Sequence, residues 1–129
     1  MSKHLRGLKP AIGADGEALT KAPPAPSHLS AHAKAEWKRI FPQLIARRIV
    51  TRADLAGVEN YCLAVGMVRQ IAEAFMLAGG LPDPKLFGVQ NRAMQTARQL
   101  AAEYGLTPTS RARIGSGAPD EDADSPLSV

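Results

Sequence analysis

The chain has 129 residues and a formal net charge of +4, with 16 basic and 12 acidic side chains. This length fits one domain with room for a tail at each end, and it argues against a large self-contained enzyme. Aromatic residues make up only 5% of the chain, while 45% of it is hydrophobic, a composition that favours packed helices over sheets. We therefore predict an all-α fold.

The two ends of the chain differ in composition from the middle. Residues 1–29 are rich in proline and glycine, which neither a helix nor a strand sustains. Residues 115–129 contain several acids and no basic residue. We predict a flexible basic arm over 1–29, a helical domain over 30–114, and a disordered acidic tail over 115–129.

The first predicted helix covers residues 31–48, with Ser30 as its N-cap and apolar residues at helical spacing along one face. Pro42 lies inside this helix and lacks the amide that the turn requires, so we expect a kink or a break into two shorter pieces there. Thr51 and Asp54 have the spacing of a capping box, which predicts that a second helix starts near residue 52.

The second predicted helix is long and ends at the pair Gly79-Gly80, and its apolar stripe is broad enough to contact more than one neighbour. Asp83-Pro84 then opens a third helix, since proline suits the first helical position, and Gly105 ends it. A fourth, short helical turn begins at Thr107-Pro108. The expected architecture is thus a small bundle or hairpin of three main helices with a short C-terminal turn.

Several kinds of chemistry find no support in the sequence. The chain has no Gly-Lys-Ser or Gly-Lys-Thr run to hold a nucleotide phosphate. His28 and His32 lack a third ligand nearby, so we predict neither a metal site nor a cofactor. The carboxylates of the helices suit surface or capping positions better than a catalytic cleft. The lone Cys62 permits no intrachain disulfide and reads as a small buried hydrophobe.

A membrane span is not expected either. A spanning helix needs about 18 to 20 nearly uncharged residues, and uncharged stretches such as residues 60–68 are half that length. Nor do the first residues form an apolar segment long enough for a signal peptide, because Pro10 and Gly13 interrupt them.

Basic side chains gather along the first helix and the turn after it, where they can neutralise phosphates without reading sequence, although a solvated basic face is an equal alternative. They are Lys34, Lys38, Arg39, Arg47, Arg48 and Arg52. Arg111 and Arg113 are interpreted instead as partners of Glu103 in a structural ion pair. A base-reading helix-turn-helix is disfavoured, because Asp54 and Glu59 in the recognition position would meet repulsion from phosphates.

The residues themselves resemble a known family, the small subunits of bacteriophage terminases. The similarity begins in the segment from Pro26 to Trp37 and continues at Thr51-x-x-Asp54-Leu55 and Tyr61-Cys62. It closes with Asn91-x-Ala93 and the run from Leu100 to Arg113, in which the part from Gly105 onward stands out. That last run, Gly-Leu-Thr-Pro-x-Ser-Arg-x-Arg after a helix, is the most specific part. A separate N-terminal helix-turn-helix domain, which some members carry, is not expected here because residues 1–29 are short and rich in proline.

The resemblance implies a non-catalytic subunit that binds viral double-stranded DNA, assembles into a homo-oligomeric ring and recruits or regulates a large subunit carrying the ATPase and nuclease. It also implies action in the cytoplasm of the bacterial host and absence from the mature virion, and it leaves open a phage, prophage or gene-transfer-agent origin. The aromatic and apolar residues of the helices are then expected to form the core or the contacts between subunits. They are Trp37, Phe41, Tyr61, Phe75, Leu100 and Tyr104.

Under this hypothesis the six basic residues of the first helix and turn bind DNA, and basic residues of the arm add a mobile contact. The arm residues are Lys3, Arg6, Lys9 and Lys21. The acidic tail is expected either to contact the large subunit or to screen the ring from stray DNA. Its acids are Asp120, Glu121, Asp122 and Asp124. A small dimeric helical DNA-binding regulator and an all-α enzyme remain the alternatives.

Overall fold

The structure is a computed structural model that describes residues 17–80 and 82–115. It contains three long helices and a short one, which we number α1 to α4, and a 3-10 turn that leads into α2. In chain order they are α1 (Ala31–Ala46), the turn Arg52–Asp54, α2 (Leu55–Ala78), α3 (Pro84–Glu103) and α4 (Pro108–Gly115). No strand occurs in these ranges. The predicted all-α class is confirmed.

Local sequence signals set most helix ends. The Ser30 side chain accepts a hydrogen bond from the amide of Ala33, at 3.2 Å. Thr51 and Asp54 form the expected capping box. The Thr51 side chain accepts a hydrogen bond from the amide of Ala53, and the Asp54 carboxylate accepts one from the amide of Thr51. These side chains satisfy amides that have no partner inside the helix.

The third helix opens as predicted, because the Asp83 carboxylate accepts from the Lys85 amide and Pro84 takes the first helical position. Glycines end both α2 and α3, since Gly79 and Gly105 adopt a φ of +67° that other residues rarely reach.

Helix α1 passes through Pro42 without being divided. Of the kink or break expected at this proline, the break into two pieces does not occur. Ile40, Phe41 and Leu44 are all fully buried on the core side of this stretch and hold the helix in place. Because Pro42 has no amide N–H, the carbonyl of Lys38 has no donor inside the helix. Both residues lie on the exposed side of α1, where water can donate a hydrogen bond to that carbonyl.

The core lies where α1 crosses the first half of α2. Trp37 and Phe41 pack at a ring-centroid distance of 4.5 Å, and Val58 and Cys62 of α2 complete the interior. A Cβ atom on Gly66 would lie 3.0 Å from the Cβ of Ala33, so this glycine allows the two helices to approach closely.

Residues 17–29 belonged to the predicted flexible arm, but they pack on the helices. The amide of Leu19 donates to the carbonyl of Val50 at 2.8 Å. The indole N–H of Trp37 donates to the carbonyl of Pro23 at 2.9 Å, and Leu29 is buried in the core. An extended proline-rich segment can dock without forming a helix when its polar groups find such partners. Residues 1–16 and 116–129 lie outside the described residues.

The helical run Arg52–Ala78 is long and apolar enough, by length and composition, to cross a membrane. The core helix of a soluble protein can pass the same test. In this fold Glu59 pairs with His28 of the preceding segment, and Glu73 pairs with His32 of α1. Only 22% of its most apolar stretch is buried inside the chain, however, which leaves an apolar surface bare.

Candidate nucleic-acid interface

The six basic residues predicted to bind DNA fall into two groups in the structure. Lys38, Arg48 and Arg52 are exposed, and Lys34 is half-buried. None of these four forms an ion pair with a described residue. Arg39 and Arg47, by contrast, hold other parts of the chain together. The structure thus leaves four of the six cations available to an anionic partner.

Arg39 is committed to a buried carboxylate. Its guanidinium donates two hydrogen bonds to Glu36, one turn earlier on α1. Glu36 is completely buried, and it also accepts a hydrogen bond of 2.7 Å from the Tyr61 hydroxyl on α2. Arg69 stands 3.5 Å from the same carboxylate. Glu36 therefore ties α1 to α2 by hydrogen bonds and charge.

Burial alone would raise the pKa of Glu36, but the hydrogen bonds from Arg39 and Tyr61, with the charges of Arg39 and Arg69, outweigh burial and hold that pKa below its ordinary value. Burial and the hydrogen bond to Glu36 raise the pKa of Tyr61. The site thus keeps a charged carboxylate next to a neutral phenol. Such a fully satisfied network fixes the helix pair, and its breakage is costly.

Glu36 is absent from the predicted site, although the sequence carries a signal for it. It lies three residues after Ala33 and four before Ile40, and this spacing places it inside the apolar stripe of α1. A single carboxylate in such a stripe requires a partner. Arg39, three residues further on, is the nearest candidate.

Arg47 joins the end of α1 to the end of α3. One guanidinium nitrogen donates to the carbonyl of Gly105 at 3.0 Å, and another donates to the Gln43 side chain at 3.2 Å. This contact places the turn before α4 beside the end of α1. Arg111, on α4, is thereby brought to the same end of the molecule as Arg48.

Arg111 and Arg113 do not form the ion pair that the sequence suggested. Glu103 makes no salt bridge with a described residue. Arg113 is exposed and Arg111 is half-buried. We infer that both add positive charge to this end of the molecule.

Lys21 lies at the same end, since it is two residues from Leu19, whose amide binds Val50, and its side chain is exposed. We call the exposed or half-buried cations here the basic end. They are Lys21, Arg48, Arg52, Arg111 and Arg113. Lys34 and Lys38 lie further back along α1, and Lys3, Arg6 and Lys9 lie outside the described residues.

Arg48 has an unusual backbone within this group. Its φ of +55° places it in the left-handed region, which non-glycine residues seldom adopt. The conformation turns the chain from α1 toward Val50, whose carbonyl binds Leu19. The Arg48 side chain is carried into solvent at this turn.

The other predicted features divide between core and surface. Trp37, Phe41 and Tyr61 lie in the core, and Leu100 and Tyr104 pack partly buried against it. Phe75 is half-buried outside that cluster. The four acids of the predicted large-subunit contact, Asp120, Glu121, Asp122 and Asp124, lie outside the described residues.

Within the described residues, no cluster of three His, Cys, Asp or Glu side chains is arranged to hold a metal ion. His28 and His32 contact Glu59 and Glu73 instead, at 2.6 and 3.1 Å. Cys62 is fully buried, and burial with the nearby charge of Glu36 raises the pKa of its thiol to about 12. The neutral thiol behaves as part of the core.

The geometry described so far defines a small helical protein with a basic end and no assembled catalytic group among its described residues. The sequence model of the family described as phage terminase, small subunit, matches residues 33–121. The match covers more than half of the chain, from the core of α1 through α4, so the chain belongs to this family. That membership places it in phage DNA packaging. A search of curated proteins and a search of solved structures each returned no match.

Proposed function

We propose that this protein is the non-catalytic small subunit of a phage terminase, which binds viral double-stranded DNA and recruits or regulates the large subunit that carries the ATPase and nuclease. The observation that carries this proposal is the family match over residues 33–121. The protein acts in the host cytoplasm and is left out of the mature virion. Copies of the chain assemble into a ring, which repeats the basic end around the assembly.

The basic end supports DNA binding through phosphates. Arg48 and Arg52 are exposed and no described carboxylate pairs with either. When such side chains neutralise the phosphates of the DNA backbone, counterions condensed on the DNA are released. Binding of this kind depends little on base sequence. A ring that presents several such ends to one duplex gains affinity by multivalency.

Salt titration tests the DNA contact directly. Binding of a fluorescent duplex by the full chain is measured by anisotropy at several salt concentrations. Replacing Arg48 with Asn, which tolerates the left-handed backbone, and Arg52 with Gln is expected to weaken binding to every sequence alike. The salt slope should fall by about 2 because each phosphate contact contributes about 0.9.

The matched control removes two exposed cations elsewhere, Lys85 and Arg92 on α3, by substitution with Gln. This control should retain the salt slope of the wild type. An unchanged slope in the Arg48 and Arg52 variant, or an equal fall in the control, would contradict the assignment of DNA binding to the basic end. Arg47 is not used, because its loss would also release the α3–α4 turn.

Deletion of residues 116–129 separates two functions of the acidic tail. Contact with the large subunit predicts that the deletion abolishes stimulation of ATPase activity in a reconstituted pair, with DNA affinity unchanged. Screening of the basic end predicts tighter nonspecific DNA binding with stimulation retained. We propose the first, so retained stimulation would contradict it.

A further inference from the structure

Residues 17–29, which we call the docked segment, run along α1 in the direction opposite to the helix. The last residues of the segment lead directly into the start of α1. Further back, the carbonyl of Pro23 accepts from the indole of Trp37 near the middle of α1. The amide of Leu19 reaches Val50, beyond the end of α1. The segment therefore covers the whole length of the helix, about 24 Å for its 16 residues.

The start of the docked segment lies beside the basic end. Glu17 and Leu19 line a surface depression together with Arg52. Ala18, between them, is only 7% exposed, so the chain is packed down at this point. The backbone at residue 17 is thereby placed next to an exposed arginine of the proposed DNA contact.

Contacts along its whole length hold the docked segment in place. Leu29 is buried in the core, and Leu19 and Ala25 pack against the same core. His28 contacts Glu59 of α2 at 2.6 Å. Buried apolar side chains and satisfied hydrogen bonds both favour the docked arrangement. Its position is therefore fixed at both ends and in the middle.

The residues that precede the docked segment are basic. Residues 1–16, which we call the basic stretch, contain Lys3, Arg6 and Lys9 and a single acid, Asp15. Lys9 precedes residue 17 by eight residues, which a chain can extend over at most about 28 Å. A DNA duplex carries one phosphate charge for about every 1.7 Å of its axis. Cations of the basic stretch can therefore reach phosphates that neighbour those at the basic end.

We propose that the docked segment positions the basic stretch, so that the basic stretch and the basic end bind one DNA duplex together. The inference rests on the proposed function, because it concerns the same DNA contact. The docked segment acts here by fixing the point at which the basic stretch starts. Two weak contacts that share one duplex strengthen each other when the chain holds them close together.

Docking changes how far the basic stretch starts from the basic end. Without docking, the first fixed residue would be Ser30, at the opposite end of α1 from Arg52, and it follows Lys9 by 21 residues instead of eight. The effective concentration of a group on a flexible tether falls roughly as the −3/2 power of the tether length. This lengthening lowers the effective concentration of Lys9 at the basic end by about fourfold.

A purely structural role for the docked segment is the alternative. Release of the segment would then lower stability and leave the contribution of the basic stretch to DNA binding unchanged. The positioning role predicts instead that the two depend on each other. A double-mutant cycle distinguishes these cases, because it measures the coupling between two changes.

The cycle combines a release of the segment with a neutralisation of the basic stretch. The release variant carries Ala18→Gln, which puts a polar side chain at a buried position, and Leu19→Pro, which removes the amide that binds Val50. It changes no charge. The neutral variant carries Lys3→Gln, Arg6→Gln and Lys9→Gln. Anisotropy at low salt gives the affinity of the full chain for a fluorescent duplex, in the wild type, in each variant and in their combination.

The release variant is expected to bind DNA about fourfold more weakly than the wild type, through the lower effective concentration alone. Neutralising the basic stretch should weaken binding by the wild type. The same neutralisation should cost about fourfold less in the release variant, because the basic stretch contributes less there. Equal losses on neutralisation in both backgrounds, or no loss in the wild type, would overturn the proposal.

The matched control carries Thr20→Gln and Ala22→Gln, at exposed positions of the same segment. It should retain the affinity of the wild type. Trypsin cleavage after Lys21 should be faster in the release variant than in the wild type, because cleavage follows the population of the open form. Equal cleavage rates would contradict the anchoring of the segment at Ala18 and Leu19. Circular dichroism checks the helices, and Ala18→Gln alone replaces the double substitution if they are lost.

The wild type separates this inference from the proposed function. A wild type that binds duplex DNA, with equal losses on neutralisation in both backgrounds, would overturn the positioning role and leave the proposed function standing. A wild type that ignores duplex DNA at low salt would overturn both.

Discussion

The two halves of α2 lie in very different surroundings. In the first half, Val58 and Cys62 are fully buried beneath α1. In the second half, Met76 and Leu77 are 72% and 82% exposed. Both halves are apolar in sequence, so their apolar pattern does not distinguish a residue that is buried in the core from one that is exposed. Burial by α1 and the docked residues 17–29 makes the difference.

Two phenylalanines on the neighbouring helices show the same contrast between burial and exposure. Phe41 of α1 is 1% exposed in the core, whereas Phe87 of α3 is 53% exposed. Phe41→Ala is expected to lower the free energy of unfolding by about 3–5 kcal/mol, through lost burial and a cavity. Phe87→Ala should change it by less than about 0.5 kcal/mol. Urea unfolding gives both values, and equal losses would contradict the contrast between the buried and the exposed phenylalanine.

The next largest effect is expected at the buried carboxylate of Glu36, which binds Arg39 and Tyr61. Glu36→Ala leaves Arg39, Arg69 and Tyr61 without their shared partner, and should lower the free energy of unfolding by about 3 kcal/mol. This is the lower end of the range for broken buried pairs, because both arginines keep access to water. Thermal and urea unfolding measure the loss. Glu103→Ala, an exposed change on α3, is the control and should have little effect on the free energy of unfolding. A similar loss there would contradict the stabilising role assigned to the contacts of Glu36.

A smaller effect is expected where α2 begins, beside α3. A Cβ atom on Gly57 would lie 1.8 Å from the Tyr104 hydroxyl, so Gly57→Ala must displace that ring and should cost about 1–3 kcal/mol of unfolding free energy. Tyr104→Leu in the same chain should recover part of the loss, which a double-mutant cycle would measure.

Gly88→Ala on α3 is the matched control for that substitution. Its Cβ atom would lie 3.8 Å from the nearest side-chain atom, an ordinary contact. It should therefore raise the unfolding free energy by about 0.5–1 kcal/mol, through the better helix propensity of alanine. A stabilising Gly57→Ala would contradict the tight approach of α2 and Tyr104.

The smallest effect is expected at acid pH. The pKa of Glu36 lies below its ordinary value in the folded chain, so its ionised form contributes stability above the unfolded pKa, about 4.3. That contribution is lost as the pH falls through the folded pKa. The free energy of unfolding of the wild type, relative to Glu36→Gln, should therefore be constant near neutral pH and shrink below about pH 4. A difference that grows on acidification would give the opposite sign for the pKa shift.

Much of the fold follows from local signals in the sequence. Ser30, the Thr51 and Asp54 pair, Asp83-Pro84 and the glycines mark helix ends by chemistry confined to a few residues, and the structure confirms those positions. Pro42 shows the limit of such signals. Its effect depends on the neighbours that hold α1 together, and these come from α2.

The candidate site was less predictable than the fold, because it depends on contacts between distant residues. Proximity in sequence groups Arg39 and Arg47 with the unpaired cations, but contacts with other residues decide their roles. Arg39 binds Glu36, which also accepts from Tyr61, and Arg47 binds the carbonyl of Gly105. Composition likewise suggested that residues 17–29 would not pack. Their docking depends on single hydrogen bonds to Val50 and Trp37, which composition does not reveal.

Trp37 is the only tryptophan in the chain, and its indole both packs on Phe41 and donates to the carbonyl of Pro23. The intrinsic fluorescence of Trp37 therefore reports on the contact between residues 17–29 and α1. Release of that segment would admit water to the indole and shift its fluorescence emission to longer wavelength, while the helical signal stayed constant. Dissociation of residues 17–29 from the helices can therefore be followed in solution without any added label.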